Sequence, residues 1–383
     1  MRDILWIPSW YPSIHSIQNG DFIERHAMAA SKYTNIVLIH IQSSNKIETI
    51  LHKNSRKCEN LFEKVTIFPA VNYFRLFNFF RYFYYFNKAF KVCYLKNKKP
   101  CLIHVHVSYK AGLIALWLKM RYGIPYIITE HWSFFNLGNK NNYSRCNIFT
   151  KLLYRIIFNN SDYVLPVSEN LNRQLRLFFP KIITSTIPNV VDNKLFFLKE
   201  YEDNNKFTFI HVSSFVRLKN PVSILETFIR LRKKYGFVEL KLVGPLTNEL
   251  MDFMGKIEGI KDAINCTGSV SHDLVANELQ SANVFVLYSH YENLPCVIAE
   301  SLCCGVPVIS SSVGGVPEMI TEENGILVPP GDEDALYNAM ESMILNYKKY
   351  DRKKISETAQ AKYNPEVTGK QIVEVYEKVL SKK

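Results

Sequence analysis

Two glutamates eight positions apart are the first residues whose type and spacing suggest chemistry. Glu292 and Glu300 lie in the stretch 284–331, VFVLYSHYENLPCVIAESLCCGVPVISSSVGGVPEMITEENGILVPPG. Residues 284–288 read as a buried strand. The loop 289–294 ends at Pro295, which suits the first position of a helix. That helix is expected to run to about Cys304 and stop at Gly305. Glu292 stands just before it and Glu300 about a turn and a half inside. The backbone amides of residues 293–297 then lack helical partners and sit at the positive end of the helix dipole, which makes a phosphate site. A carboxylate at a helix start is often only a cap. Glu300, on the apolar segment 297–304, needs a polar partner, and ribose hydroxyls would be one. Gly314–Gly315 form a flexible loop after the strand that starts at Val308–Ile309.

Other constellations are weaker. His104 and His106 alternate with valine in a strand and so face one way. Two ligands without an obvious third read as cleft-lining or core histidines rather than a metal pair. The eight cysteines are scattered, with Cys303 and Cys304 adjacent and no CxxC pair. That pattern argues against a disulfide framework or a zinc site and fits a reducing cytoplasm. GxGxxG is absent, no Ser–His–Asp triad is inferable, and Asp332-Glu333-Asp334 reads as a helix start.

The elements that must position these residues alternate along the chain. Strands are expected at 4–7, 36–41, 102–107, 126–129 and 162–167, with helices at 21–31, 111–121 and near 169–178. After the turn at 187–192 and a polar segment at 201–206 the pattern restarts. Strands follow at 208–213, 239–243, 264–268 and 284–288, with helices at 222–235, near 249–257 and at 272–281, the last with Ser271 as N-cap. Strand–helix alternation at this spacing means βαβ units and parallel sheets. At 383 residues, 47% of them apolar, the chain is expected to form two doubly wound domains facing an interdomain cleft, with ligands at the carboxyl ends of the strands. The boundary is expected at 190/191. No run of 18 apolar residues is present to cross a membrane. MRDILWIPSWYP reaches Pro8 and Trp10 too soon for the apolar core of a signal peptide.

Charge is divided unevenly. Residues 1–190 carry 25 Lys/Arg and 9 Asp/Glu; residues 191–383 carry 22 and 26. The whole net charge of +12 therefore resides in the first half, which suggests an anionic partner there. Residues 72–99 hold seven basic residues, twelve aromatics and no acid. A helix over this segment would set Arg75, Arg81, Lys88 and Lys91 beside a broad Phe/Tyr face, a composition suited to an anionic membrane interface. The alternative is an amphipathic helix whose rings face the core. With no compact nucleic-acid-binding motif beside it, a nucleic-acid partner is not expected.

Glu292, seven residues and Glu300 resemble the Glu-x(7)-Glu motif of retaining glycosyltransferases of family 4, which have the GT-B fold. Gly305–Pro307, Gly314–Gly315, Pro317–Glu318, Asn324–Gly325 and residues 327–332, LVPPGD, resemble its surroundings. Trp10-Tyr11-Pro12 with Gly20-Asp21-Phe22 resembles the family's N-terminal acceptor and phosphate loop. Ser161-Asp162 with Pro166-Val167-Ser168 resembles a strand end that brings a serine towards the cleft. Pro188-Asn189 with Asp192 resembles the interdomain turn, and Thr267-Gly268 with Val270 the nucleotide-base loop. The resemblance covers essentially the whole chain.

The resemblance implies roles. Lys219 would bind the donor diphosphate and Glu300 the ribose. Glu292 would meet the donor sugar hydroxyls, and Asn293, Leu294 and Pro295 sugar and phosphate. His131 would reach the donor sugar, and Gly20 would let backbone approach the diphosphate. There are departures. Ser213-Ser214-Phe215 stands where the family has Gly-Arg-Leu, so Arg217 is a candidate substitute for the second diphosphate cation, in a different register. Asn189-Val190-Val191-Asp192 lacks the glycine of the family turn.

The sequence thus points to a sugar transfer from a nucleotide diphosphate sugar to a hydroxyl acceptor with retained configuration. It implies no cofactor and no metal, and the donor phosphate itself could deprotonate the acceptor. The acceptor is expected to be a glycan or lipid-linked intermediate of cell-surface polysaccharide synthesis, such as capsule or O-antigen. The protein is expected to be cytoplasmic and peripheral on the inner face of the membrane. Domains are expected at 1–190 (acceptor) and 191–383 (donor), with a last helix at about 366–380 crossing back to the first. Alternatives are a GT-B epimerase or phosphorylase, and a non-catalytic glycosyltransferase-like scaffold at a membrane complex.

Overall fold

The structure, a computed structural model, describes residues 2–13, 19–71, 75–94, 99–200, 206–257 and 259–382, with backbone only at 75 and 76. Most of the expected polar segment 201–206, parts of the aromatic-basic segment 72–99 and the side chain of Arg75 therefore lie outside the described residues.

The chain divides into two compact units. The first comprises Met1–Leu137, Asn141–Val190 and Pro365–Lys383; the second Gly138–Lys140 and Val191–Asn364. The first contains β1 (Asp3–Pro8), α1 (Asp21–Ser31), β2 (Asn35–Ser44), β3 (Leu51–Cys58), β4 (Leu61–Pro69), α2 (Arg75–Cys93), β5 (Leu102–His106), α3 (Ser108–Tyr122), β6 (Tyr126–Glu130), α4 (Ile148–Asn159), β7 (Tyr163–Pro166) and α5 (Glu169–Phe178). Its seven strands lie in the order β3-β4-β2-β1-β5-β6-β7, all parallel except the β3–β4 hairpin at one edge. Central strands have helices on both faces, so β1, β5 and β6 are almost wholly buried along their length, polar residues included.

The second unit contains β8 (Phe207–Val212), α6 (Pro221–Lys234), β9 (Val238–Val243), α7 (Asn248–Gly255), β10 (Ile264–Gly268), α8 (His272–Gln280), β11 (Val284–Leu287), α9 (Cys296–Cys303), β12 (Val308–Ser311), β13 (Gly325–Val328), α10 (Glu333–Asn346) and α11 (Arg352–Tyr363). Its six strands are all parallel, in the order β10-β9-β8-β11-β12-β13. Asp332 caps α10 by accepting from Ala335 N. Ser271 precedes α8 but makes no capping hydrogen bond.

The closing helix α12 (Pro365–Leu380) belongs to the first unit. Its Tyr376 hydroxyl accepts from Trp6 Nε1 (3.1 Å) and lies 2.7 Å from His104 Nδ1. Gly369 is needed where α12 meets α1: a Cβ there would stand 2.3 Å from Ala29 O.

Candidate active site

Open parallel sheets offer a crevice where the strand order reverses. In the second unit this falls between β8 and β11, and the loops after both strands supply the candidate residues. The β8 loop is shaped from below by His211. Its Nδ1 donates to Val286 O (2.7 Å), and its Nε2 accepts from Ser213 Oγ (2.8 Å), which in turn accepts from Phe215 N. Burial pushes His211 down to about 4, so the ring stays neutral and keeps an acceptor for the serine. Phe215 (φ 51) and Asn220 (φ 47) take left-handed conformations that bracket Lys219.

Lys219 Nζ then donates to Glu292 Oε1 at 2.5 Å. The two loops are joined beside this pair by His290 N donating to Leu218 O (2.9 Å). The loop after β12 joins as well: Gly315 N donates to Asn293 O (2.8 Å), next to Gly314 at φ 55. Pro295 is not the first helical residue expected from sequence. Its ψ of 120° leaves it extended, as the N-cap of α9. Leu294 is buried beside it, and Glu300 is buried within the helix at 6% exposure. Val270 is half-buried in the turn between β10 and α8, on the same carboxyl edge. Lys219, Glu292, Asn293, Leu294, Pro295 and Val270 therefore share one edge of the sheet, with the start of α9 among them.

Arg217, the expected second diphosphate cation, has its Nε donating to Glu249 Oε2 (2.9 Å), with both side chains largely exposed. The pair lines a hollow of about 300 Å³ with His290.

In the first unit the strand order reverses between β1 and β5. Gly20 precedes α1 at φ 78, and a Cβ there would lie 2.7 Å from the Trp10 carbonyl. Close packing of the chain on itself therefore already demands the glycine. His131 follows β6. Its Nδ1 is 3.2 Å from Asn189 Oδ1 and its Nε2 3.3 Å from His106 Nδ1. Donation by His131 to the amide oxygen and by His106 to His131 satisfies both contacts. Burial holds His131, His104 and His106 well below the ordinary histidine range. His104 and His106 are fully buried core residues. Ser168, expected to approach a ligand, is buried and caps α5 through Leu171 N.

Two positioning residues carry no signal in a motif. Glu130 is fully buried and accepts from Ser108 N and Oγ through Oε2 and from His131 N and Trp132 N through Oε1. It fixes the loop that carries His131. Burial pushes its carboxyl up, against the four hydrogen bonds. A glutamate ending the apolar strand YIITE is the one available sequence signal. His26, buried on α1, has Nε2 3.1 Å from Pro188 O. His26, His106 and His131 each bring one ring nitrogen within 4.8 Å of the others, a grouping able to ligate an ion.

Two parallel Rossmann-like sheets, one with an ammonium–carboxylate pair and a helix start at its topological switch, define a protein of the GT-B class. Comparison with known families agrees: "Glycosyltransferase Family 4" matches residues 36–195 and "Glycosyl transferases group 1" residues 192–362. The chain belongs to glycosyltransferase family 4.

It is 27% identical over 248 residues to N-acetyl-alpha-D-glucosaminyl L-malate synthase of Bacillus anthracis, covering 60% of this chain and 62% of that protein. It is 26% identical over 252 residues to a component of human phosphatidylinositol N-acetylglucosaminyltransferase, covering 64% of this chain and 50% of the relative. The matches thus span about half to three fifths of these relatives' length. Among solved structures, Anabaena HepE in complex with UDP-glucose superposes with a TM-score of 0.71 at 15% identity, over 99% of this chain and 100% of that one.

Proposed function

We propose that this chain transfers a sugar from a nucleotide diphosphate sugar to a hydroxyl acceptor, with retention at the anomeric carbon. The observation that carries the reading is the Lys219–Glu292 pair at the β8/β11 switch, beside the start of α9. An arriving diphosphate competes for the Lys219 ammonium and releases the Glu292 carboxylate to accept from sugar hydroxyls. The amides at the start of α9 complete the charge balance on the leaving diphosphate. Glu300 takes the ribose hydroxyls and Val270 borders the base. No metal is assigned to this chemistry.

A lipid-linked or membrane-borne acceptor in cell-surface glycan synthesis is supported by the basic first half and by the name of the human relative, which specifies phosphatidylinositol. No helix among the described residues is long and apolar enough to cross a membrane.

The test is a thermal-shift panel of UDP-, GDP-, ADP-, dTDP- and CMP-sugars without added metal, on the wild type, Glu300→Ala and Glu300→Gln. One nucleotide class should raise Tm and lose most of that effect in folded variants. A folded wild type that responds to none of the five would sink the reading. The anomeric configuration of the first-formed product, read by NMR, tests retention.

A further inference from the structure

α2, α3 and α4 together contain nine Lys or Arg and no Asp or Glu. They also carry much of the exposed apolar surface of the first unit. Phe77, Phe80 and Tyr84 are exposed on α2, Tyr109 on α3, and Ile148, Phe149 (80%), Leu152 and Ile156 on α4. The opposite face of α2 does what an amphipathic helix ordinarily does: Tyr82, Phe86, Ala89 and Phe90 are buried. Arg81, expected as a membrane-facing cation, is turned inward instead. It donates to Pro69 O (2.6 Å) and lies over the Phe68 ring.

The three helices enclose a groove of about 480 Å³. Phe79, Leu113, Leu153 and Ile157 give it apolar walls. Ser43, late in β2, and Tyr109 and Lys110, in the first turn of α3 after β5, place it towards the carboxyl edge of the sheet. Lys110 is half-buried there. Its ammonium lies 5.8 Å from the Tyr82 ring centroid and 5.7 Å from that of Tyr109, with no carboxylate partner among the described residues. Burial lowers its pKa. A desolvated cation on an apolar wall, held only by ring faces, gains most from an anion that brings its own apolar body.

We propose that this groove binds a phosphate ester carrying an apolar chain: the lipid-phosphate portion of a membrane-borne acceptor, with the phosphate on Lys110 and the chain along Leu113, Leu153 and Ile157. The exposed rings and aliphatics of α2 and α4 then rest in the bilayer from which the lipid enters, with Lys88, Lys91, Lys151 and Arg155 available to its anionic headgroups. This rests on the transferase reading above and names the chemical class of its acceptor.

The experiment is calorimetric titration of the full chain with farnesyl monophosphate, farnesol and inorganic phosphate, on the wild type, Lys110→Met and Leu153→Asp. Farnesyl monophosphate should bind the wild type at least tenfold more tightly than either half-probe. Each variant should lose at least tenfold while keeping its circular dichroism and its thermal response to the donor nucleotide. Equal binding to Lys110→Met, or equal binding of inorganic phosphate alone, would overturn the proposal. The donor response is read in the second unit, so a silent nucleotide panel with normal lipid-phosphate binding refutes the transferase reading and leaves the groove standing. The reverse pattern refutes only the groove.

Discussion

At Lys219 and Glu292 stability and activity can be separated. Both side chains are mostly buried at 2.5 Å, so removing one leaves the other's charge poorly solvated. Lys219→Met should cost about 1–3 kcal/mol of stability, the scale of an unsatisfied polar group in a partly buried site. It should also lower kcat by roughly 10²–10³, the usual effect of removing one charge-stabilising donor. The double variant Lys219→Met/Glu292→Gln should regain most of the lost Tm and none of the activity. If activity returned with stability, the pair would be structural only. Glu130 belongs to the opposite category. Glu130→Ala strands the Ser108, His131 and Trp132 amides, each costing about 1–3 kcal/mol when buried and unpaired. A large fall in Tm, with weaker donor-sugar binding in the surviving folded fraction because the His131 loop has lost its anchor, is the expected outcome, measured by calorimetry and nucleotide titration.

Helices and central strands follow from local pattern more closely than edges do. The sequence places α5 near Glu169–Phe178 and the central strand β6 at 126–129, and the structure has them at Glu169–Phe178 and Tyr126–Glu130, because the Ser168 cap marks the helix and a buried apolar run marks the strand. It places no strand between residues 45 and 71, where the structure has the β3–β4 hairpin. β3, LHKNSRKC, is mostly exposed and polar, so no hydrophobic period identifies it. Its pairing is dictated by β4, whose buried Glu63 is satisfied by Ser55 Oγ and Tyr11 Oη. The site shows the same division. Glu292 and Glu300 are legible because their spacing is fixed by one loop and one helix. Glu130 and Ser108 are not, because two separate strands bring them together. α12 is readable as a helix, yet its anchorage depends on single atoms. Tyr376→Phe removes the hydroxyl shared by Trp6 and His104 and should cost about 1–3 kcal/mol. Gly369→Ala should cost at least as much, since backbone of α1 occupies the space of the new methyl. Denaturant titration should show both, whereas Lys370→Ala, nearby and exposed, should be nearly silent. Equal stability in all three would mean that α12 contributes little to the first unit.

Over the whole molecule, burial of histidine sets a direction for acid stability. His26 is pushed down to about 4, as is His211, and His40, His104, His106 and His131 are all lowered, in each case chiefly by burial. These groups are neutral in the fold and titrate near 6.5 when unfolded. The unfolded chain therefore binds more protons below about 6.5, so the stability they permit is present above that pH and is lost as pH falls towards the folded values. Each contributes a slope of roughly 1.4 kcal/mol per pH unit within the window. Charge on neighbouring histidines adds to the lowering of His104, His106 and His131, so their proton uptake is coupled and is shared among the rings rather than summed ring by ring. Five of the six lie in the first unit and only His211 in the second. Scanning calorimetry from pH 7.5 to 5 should consequently show a falling Tm that splits into two transitions. The first unit should move several times faster than the second, whose donor-induced shift should persist at the lower pH. His104→Phe, which removes one titrating group and the bonds to Thr129 and Tyr376 with it, should lower Tm at pH 7.5 yet flatten the slope. A single transition whose Tm is unchanged between pH 7.5 and 5 would mean that these rings titrate in the folded protein as they do in the unfolded chain, and would overturn the burial argument.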